Sequence, residues 1–293
     1  MKNPPFNYHR PATLTEALEL LAEHGENGKV LAGGQSLLPV MALRLGRPEH
    51  IIDIGTIDEL ATIHASEGVL IGAMVRHAEA EKSPDVARLA PLVAAALPHV
   101  GHTAIRTRGT VVGSIAHADA AAEMPAVCLA TRATLQIRSA SSSRQVAAGN
   151  FFDGYFTTAL EPDELVTSVY FPAITPDTGT SVVEISRRHS DYAMAGLACQ
   201  IEAPDGIISS AALAFFGVSS TPVRVASAEA ALIGKPPGSN AFGEAAKVVT
   251  EALETFGDVH ATAEYRRHIA GVLTKRGLAE ATSTIRRRHE PSI

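Results

Sequence analysis

The segment VLAGGQSLLPV, residues 30–40, constrains the fold more than any other part of the sequence. Two adjacent glycines, Gly33 and Gly34, interrupt an apolar run and are followed by a glutamine and a serine before the apolar pattern resumes. A plain turn needs one glycine, whereas two allow the backbone to come close to another group. A loop that leads into a helix leaves N–H groups free, and phosphate is a common ligand of such groups. We therefore predict an anion-binding loop here.

A second stretch of this kind is RGTVVGSIAHADAAAEMPAV, residues 108–127. Thr110, Gly113 and Ser114 form a loop-like run ahead of an apolar helical pattern, which again is typical of an anion site. One such loop is often only a turn or a cap, but two in one domain indicate a ligand with two adjacent phosphates. The GxGxxG fingerprint of the Rossmann fold is absent from the sequence, so a dinucleotide would bind on a different fold.

Two acidic residues, Asp119 and Glu123, follow the second loop. A carboxylate on the helix after a phosphate loop could accept a hydrogen bond from a ribose hydroxyl or an adenine edge. The same residues could equally be acidic side chains that the helix dipole favours at an N-terminus. The local pattern does not decide between these two interpretations.

Hydrophobic periodicity predicts an α+β protein. A capping box at residues 13–16 starts a helix, and a strand at 29–32, a helix at 37–45 and a strand at 51–54 complete a small α/β unit over about residues 1–55. Further along, strands and helices alternate without βαβ regularity, which favours a mainly antiparallel sheet.

Individual elements of this second region can also be predicted. A hairpin is expected around residues 66–68, a helix over 87–97 and a linker rich in Pro, Thr and Gly over 172–180. The strand-like and helical segments beyond the linker predict a second α+β domain.

Composition limits the classes of function. The net charge is −6, which argues against general nucleic-acid binding. No apolar run approaches the roughly 18–20 residues of a membrane span, and the first residues do not resemble a signal peptide, so we expect a cytoplasmic protein.

The sequence offers few groupings of cysteine or histidine that could bind a metal. The two cysteines, Cys128 and Cys199, lie in apolar surroundings outside any CxxC pair, so the chain is not expected to ligate an iron–sulfur cluster or a cysteine-rich zinc site. His99 and His102 could share a helix face, but two histidines leave a metal site incomplete. No metal ligand is therefore predicted.

Three motifs, taken together and in order, resemble one family. They are KVLAGGQSLLP at residues 29–39, RGTVVGSIAHAD at 108–119 and RRHSDYAM at 187–194. They resemble the FAD-binding medium subunits of the molybdenum hydroxylases, a family that includes aerobic carbon monoxide dehydrogenases, bacterial xanthine-type dehydrogenases and N-heterocycle hydroxylases. The resemblance extends from residues 7–11 to residues 264–267, nearly the whole chain.

The resemblance implies a two-lobed FAD-binding domain of the vanillyl-alcohol-oxidase/PCMH type, followed by a smaller α+β C-terminal domain of the carbon monoxide dehydrogenase flavoprotein type. The expected domains are 1–176, with sub-lobes at about 1–55 and 56–176, and 177–290. The implied FAD-binding residues are Lys29, Val30, Leu31, Ala32, Gly33, Gly34, Gln35, Ser36, Val100, Gly101, Thr110, Gly113, Ser114, Asp119, Glu123 and Tyr192. Tyr192 matches a position near the isoalloxazine ring. Val112 stands where the family usually has a glycine.

The function implied by the resemblance is electron transfer. FAD would receive electrons from [2Fe-2S] clusters in a small partner subunit and pass them to an external acceptor, while a large partner subunit carries the molybdenum cofactor. The expected assembly is a dimer of heterotrimers, and no catalytic side chain is predicted in this chain. Two alternatives remain open at this point: a stand-alone flavoprotein oxidoreductase, and a non-catalytic assembly subunit that has lost FAD.

Overall fold

The computed structural model describes residues 2–188 and 190–289, with side chains described up to residue 285. His189, which belongs to the third motif, lies outside the described residues. Three sheets follow one another along the chain, and a two-stranded ribbon accompanies the second. We describe each sheet with the helices that cover it.

The first sheet has three parallel strands in the order β1-β3-β2. Its elements in chain order are β1 (Asn7–His9), α1 (Leu14–His24), β2 (Gly28–Leu31), α2 (Leu37–Ala42) and β3 (His50–Asp53). The predicted α/β unit is thus present, and β1 is an addition that the sequence pattern did not indicate. The Thr13 side chain caps α1 by accepting from the Glu16 N–H at 3.2 Å, as the capping box predicts.

The second sheet is antiparallel, with strand order β4-β5-β10-β6-β7. Its strands are β4 (Ile63–Ala65), β5 (Gly68–Gly72), β6 (Thr134–Arg138), β7 (Ser143–Ala147) and β10 (Leu165–Pro172), and the separate ribbon is β8 (Phe152–Gly154) with β9 (Thr157–Thr158). The predicted hairpin around residues 66–68 is the β4-β5 pair.

Six short helices connect β5 to β6. They are α3 (His77–Lys82), α4 (Pro84–Leu89), α5 (Pro91–Ala96), α6 (Thr103–Arg106), α7 (Val111–His117) and α8 (Glu123–Ala130). The single helix predicted over residues 87–97 is wrong, because Pro91 starts a new helix and cannot continue the hydrogen-bond ladder of the preceding one. Short helices with many turns between them suit a region that shapes a binding surface.

The third sheet is antiparallel in the order β11-β12-β13-β14. Its elements are β11 (Thr178–Ile185), β12 (Ala195–Glu202), β13 (Ser210–Phe216), β14 (Val223–Arg224), α9 (Ala226–Ala230), α10 (Ser239–Ala252) and α11 (Ala263–His289). The linker is shorter than predicted, since Pro172 ends β10 and Thr178 begins β11.

This third sheet is covered on both faces. Ala198, Ala214 and Phe216 belong to the core shared with the region of the first two sheets, whereas Leu197 and Phe215 belong to the core under α10 and α11. Burial on both faces explains why β12 and β13 are almost continuously apolar rather than alternating. The sheet therefore joins the two halves of the chain through packed side chains. Among the described residues, no helix is both long enough and apolar enough to cross a membrane.

A glycine substitution tests the contact between β11 and α11. A methyl group at Gly179 would overlap the backbone carbonyl of Ala281, so Gly179→Ala should lower the free energy of unfolding by about 2–3 kcal/mol. Gly243 of α10 faces open space, and Gly243→Ala should instead stabilise the protein by about 0.5–1 kcal/mol because alanine favours a helix. Urea denaturation of both variants measures the difference, and equal effects would contradict the packing described.

Candidate functional site

The two glycine loops touch each other through their backbones. A methyl group on Gly33 would lie 2.5 Å from the Arg108 carbonyl oxygen and 2.6 Å from the Gly109 Cα. Only a glycine at position 33 permits this approach, because backbone atoms on the opposite side cannot rotate away as a side chain can. The contact joins the loop after β2 to the segment before α7.

The first loop presents unpaired donors. Gly34 has a φ of +72°, the left-handed conformation that favours glycine. The backbone N–H groups of Gly34, Gln35 and Ser36 donate to no acceptor within the described part of the chain, and the Ser36 hydroxyl is likewise free there. These residues are all partly exposed, so the donors face solvent rather than a core. The arrangement is a set of hydrogen-bond donors available to an anion.

The second predicted loop is shorter than expected, because α7 begins at Val111 and places Gly113 and Ser114 in its first turns; the loop that remains ends at the N-cap, Thr110. Thr110 is buried, and its Oγ1 accepts from the Gly113 N–H at 3.0 Å, which caps α7. The Ser114 hydroxyl has no partner among the described residues and is partly exposed. Val112 turns its side chain into the apolar core, where it is 2% exposed, so the valine does not occupy the space above the loop.

Arg76 and His77, which the sequence analysis missed, hold the backbone of this loop through hydrogen bonds. Arg76 donates from its guanidinium to the Arg108 carbonyl, and its backbone pairs with Thr110 across an isolated bridge. The His77 N–H donates to the Gly109 carbonyl at 2.9 Å. Burial, and secondarily the Arg106 charge, lowers the pKa of His77 to about 4, so this ring is neutral at physiological pH. Neither residue carried a signal in the sequence, because the bridge depends on a contact between segments far apart.

Basic side chains lie close to the two glycine loops. The side chains of Lys29 and Arg108 are exposed, and Arg106 donates to the Gly101 carbonyl at 2.8 Å and contacts the Glu81 carboxylate at 3.0 Å. Lys29 lies close enough to His117 to help lower the pKa of that ring, although burial is the larger cause. Positive charge at this end favours an anionic ligand.

Val100 and Gly101 connect to the loops indirectly. Arg106, on α6, donates to both of their carbonyls, and α6 leads directly into the second loop. Gly101 has a φ of +50°, which reverses the chain between the helical turn ending at residue 99 and α6. Val30 and Leu31 of β2, and Ala32 directly after it, are partly buried beside the first loop.

The other end of the site is acidic. Glu123 is the first residue of α8 and is 7% exposed. Burial raises its pKa to about 7, and the nearby carboxylate of Glu184 adds to the effect. Glu184 accepts from His99 across 3.3 Å with one oxygen, and its buried Oε2 has no partner among the described groups. This hydrogen bond raises the pKa of His99.

His99 was considered above with His102 as a half-formed metal site. The structure instead places His99 against Glu184 of β11, while His102 is exposed. Glu184 lies on β11 of the third sheet, so its part in the site comes from the packing of two halves of the chain.

Asp119 has a local structural role and an electrostatic one. Its Oδ1 accepts from the Ala121 N–H at 2.9 Å, which shapes the turn between α7 and α8. The same turn is fixed from outside, since Phe156 donates to the Ala118 carbonyl and Gly217 to the Ala120 carbonyl. The negative charge of Asp119 reaches Glu123 and helps to raise its pKa.

Aromatic side chains surround this acidic end. Tyr192 is 64% exposed, Phe156 is 59% exposed and Tyr155 is 49% exposed. The pKa of Tyr192 is raised, first by partial desolvation and then by Asp119 and Glu123, which places its ring near both carboxylates. Exposed aromatics beside buried acids suit contact with a flat ligand or a partner surface.

The chemistry of these groups fits a nucleotide with two phosphates. One end offers unpaired N–H groups, free hydroxyls and basic side chains, and the other offers carboxyl groups for hydroxyls and an aromatic surface. Two pockets elsewhere on the molecule, one lined by Glu59 and His64 and the other by Pro236 and Thr282, contain none of the predicted site residues.

Comparisons with known proteins agree with this chemistry. A family model described as "FAD binding domain in molybdopterin dehydrogenase" matches residues 4–174, and one described as "CO dehydrogenase flavoprotein C-terminal domain" matches residues 181–281. The caffeine dehydrogenase subunit beta of Pseudomonas sp. (strain CBB1) is 36% identical over 97% of this chain and 97% of its own. The nicotine 6-hydroxylase medium subunit of Paenarthrobacter nicotinovorans is 37% identical over 96% of this chain and 99% of its own.

The fold matches a solved structure equally well. A chain of the carbon monoxide dehydrogenase from Hydrogenophaga pseudoflava superposes with a TM-score of 0.94 at 36% identity, over 97% of this chain and 99% of that chain. This match and the two family models confirm the predicted α+β fold class.

The raised pKa of Glu123 predicts a pH-dependent stability. Because the folded-state pKa, about 7, is above the ordinary value of 4.5, folding takes up a proton in this window and the protein loses stability as pH rises through it. Glu123→Gln cannot lose a proton, so relative to wild type it should gain about 2–3 kcal/mol between pH 5 and pH 8. Urea denaturation of the ligand-free chain at several pH values measures this, and a difference independent of pH would contradict it.

Proposed function

Since this chain belongs to the family of FAD-binding medium subunits of carbon monoxide dehydrogenase and xanthine dehydrogenase type, we propose that it binds FAD between its two glycine loops and serves as an electron relay in a larger molybdenum enzyme. It is an oxidoreductase subunit, as its relatives are subunits of dehydrogenases. The proposal rests mainly on one contact. The backbone of Gly33 packs against the Arg108 carbonyl oxygen and the Gly109 Cα, and this contact brings the two loops together.

We assign the diphosphate to the two loops. The free N–H groups of Gly34, Gln35 and Ser36 would donate to its oxygens, and the hydroxyls of Thr110 and Ser114 would donate from the other side. Lys29 would supply positive charge. The residues proposed to line this end of the cofactor are Lys29, Val30, Leu31, Ala32, Gly33, Gly34, Gln35, Ser36, Thr110, Gly113 and Ser114.

The acidic end is assigned to the sugar and ring portions of FAD. A carboxyl with a pKa of about 7, as at Glu123, is partly protonated at neutral pH and can either donate or accept a hydrogen bond. This suits a sugar hydroxyl. We propose that Asp119 assists it, that Val100 and Gly101 border the cofactor, and that the exposed ring of Tyr192 covers part of the isoalloxazine.

We propose separate roles for the cofactor and for the protein chain. When bound, FAD accepts electrons one or two at a time, which lets it receive them from iron–sulfur clusters and deliver them to an external acceptor. The chain contributes binding, orientation and electrostatics. We propose no catalytic acid or base in this subunit, because electron transfer itself requires no proton donor at a fixed atom.

The clusters and the molybdenum are assigned to partner subunits. Cys128 and Cys199 are fully buried free thiols, and burial raises the pKa of both, so neither is available as a thiolate ligand. A relative named as a medium subunit implies a smaller and a larger one beside it. We propose a small [2Fe-2S] subunit, a large molybdenum subunit and a cytoplasmic dimer of heterotrimers.

The substrate is proposed to be determined outside this chain. The relatives described above belong to enzymes named for caffeine, nicotine and carbon monoxide, which share no chemical class, yet their identities to this chain are 36%, 37% and 36%. A subunit that contacted the substrate would be expected to diverge with it. We also propose the domain division 1–176 and 177–290, with sub-lobes at about 1–55 and 56–176, because each of the three sheets falls within one of these ranges.

Replacement of Gly33 tests the diphosphate assignment. Gly33→Ala should separate the two loops, because its methyl group would overlap the Arg108 carbonyl, and should weaken FAD binding by roughly 100-fold or more, since several charge-assisted hydrogen bonds are disturbed together. FAD titration followed by flavin fluorescence measures the affinity.

The matched control is Gly149→Ala, at an exposed glycine with no neighbour within 4 Å of the added methyl group. It should bind FAD as wild type does. If both variants bind FAD with wild-type affinity, the loops do not hold the diphosphate.

The relay itself is tested by reconstitution. FAD-loaded chain should show no turnover of caffeine, nicotine or carbon monoxide by itself. Purified together with the small and large subunits encoded with it, it should form a stable complex whose FAD is reduced by substrate. Turnover by the isolated chain would favour the stand-alone flavoprotein, and a complex that is active without bound FAD would favour the assembly subunit.

A further inference from the structure

Three histidines from separate parts of the sequence meet on the first sheet. The proposed electron relay assigns them no role. They are His9 of β1, His24 at the end of α1 and His50 at the start of β3. One ring nitrogen from each lies within 4.8 Å of the other two. Among the described residues, this is the one group of three histidine, cysteine or acidic side chains that converges in this way.

The strand register explains why two of the rings meet. Asn7 of β1 pairs with His50 of the parallel strand β3. Side chains two residues apart on a strand share a face, so His9 lies on the same side as Asn7 and diagonally across from His50. The His9 Nε2 and the His50 Nδ1 are 2.9 Å apart.

The third ring completes the group from the helix. His24 stacks on His50 with ring centroids 3.6 Å apart, and its ring lies tilted by 37° against that of His9 with centroids 4.9 Å apart. Its Nε2 is buried and has no hydrogen-bond partner among the described groups. A buried, unpartnered ring nitrogen within a cluster of others is a polar atom whose ligand has not been accounted for.

The spacing of the nitrogens suits a metal ion. Zinc–nitrogen bonds of about 2.0–2.1 Å in a tetrahedral site put the ligand nitrogens roughly 3.4 Å apart. The His9 Nε2 and the His50 Nδ1 are 2.9 Å apart and one nitrogen of each ring lies within 4.8 Å of the others, so the separations are of the size that one shared ion requires. The stacked rings of His24 and His50 would have to turn for both lone pairs to face the ion. A three-histidine donor set is typical of zinc, copper and nickel and unsuited to magnesium or calcium.

The position also favours a cation electrostatically. His24 is the last residue of the eleven-residue helix α1, whose C-terminal carbonyls carry partial negative charge. Glu23, next to it in the chain, is near enough for its charge to act on His9. Both would offset the charge of a bound divalent ion.

We propose that His9, His24 and His50 form a mononuclear site for a divalent transition metal of the zinc class, with water as the fourth ligand. The ion would join β1, α1 and β3 and would stabilise this sub-lobe. The proposal is independent of FAD binding and of the relay.

The test uses the full-length chain with any purification tag removed, titrated with zinc chloride in a calorimeter and with cobalt chloride in a spectrophotometer. We expect about one ion per chain and the visible absorption of tetrahedral cobalt. Saturating zinc should also raise the unfolding temperature by about 5 °C, because the ion binds only the folded site.

Substitutions of single ligands complete the test. His24→Ala and His50→Ala should each weaken zinc binding by roughly 100-fold or more and abolish the zinc-dependent rise in unfolding temperature. Both side chains are only partly buried, so the variants should fold, and an unchanged far-UV circular dichroism spectrum confirms that they do. His64→Ala, at an exposed histidine of β4, is the matched control and should behave as wild type.

Several results would overturn the proposal. Zinc that has no effect on the wild-type unfolding temperature would do so. So would binding that survives both ligand substitutions, or that is lost equally in His64→Ala, since the ion would then be held elsewhere. FAD binding is unaffected by any of these outcomes, so failure here leaves the function proposed above intact.

Discussion

The close approach of Gly33 to the Arg108–Gly109 backbone determines how the rest of the site is arranged. It places the loop after β2 against the loop before α7, although about 75 residues separate them in sequence. A side chain at position 33 would meet backbone atoms rather than a flexible group. Arg76 and His77 donate hydrogen bonds to the carbonyls of Arg108 and Gly109, so the segment that meets Gly33 is itself fixed.

The site has a polarity that follows from this arrangement. Unpaired N–H groups and basic side chains lie at the loop end, and the buried carboxyls of Glu123 and Glu184 lie at the other. Glu184 and Tyr192 come from the C-terminal half of the chain, and the third sheet carries Glu184 to its place by packing against α5 and α8. The complete site therefore depends on both halves, which explains why the third sheet is apolar on both faces.

Much of this could be predicted from the sequence because the relevant signals are local. Glycine pairs, capping residues and alternating apolar strands depend on neighbouring residues, and they correctly indicate the first loop, the β4-β5 hairpin and the capped helix α1. The loop predicted over Thr110–Ser114 is wrong beyond Thr110, because α7 begins at Val111. The order of three motifs was specific enough to indicate the family. Residue roles around FAD stay predictions.

What escaped the sequence depends on contacts between distant segments. Val112 looks like an obstacle in the second loop until the first turn of α7 directs its side chain into the core. The spacing of His99 and His102 predicts that they share a helix face, but His99 instead contacts Glu184 of β11, 85 residues away in sequence. His9, His24 and His50 share no motif spacing, and only the parallel register of β1 and β3 brings them together.

The most direct test of the central claim is a comparison of ligands rather than of variants. If the two loops bind a diphosphate, the cofactor-free chain should bind FAD with a stoichiometry of about one, ADP should compete with FAD, and FMN and riboflavin should compete far more weakly, because they lack the second phosphate. Equilibrium titration with each ligand measures this order. FMN or riboflavin binding as tightly as FAD, with ADP unable to compete, would show that the flavin ring alone is recognised and would contradict the account.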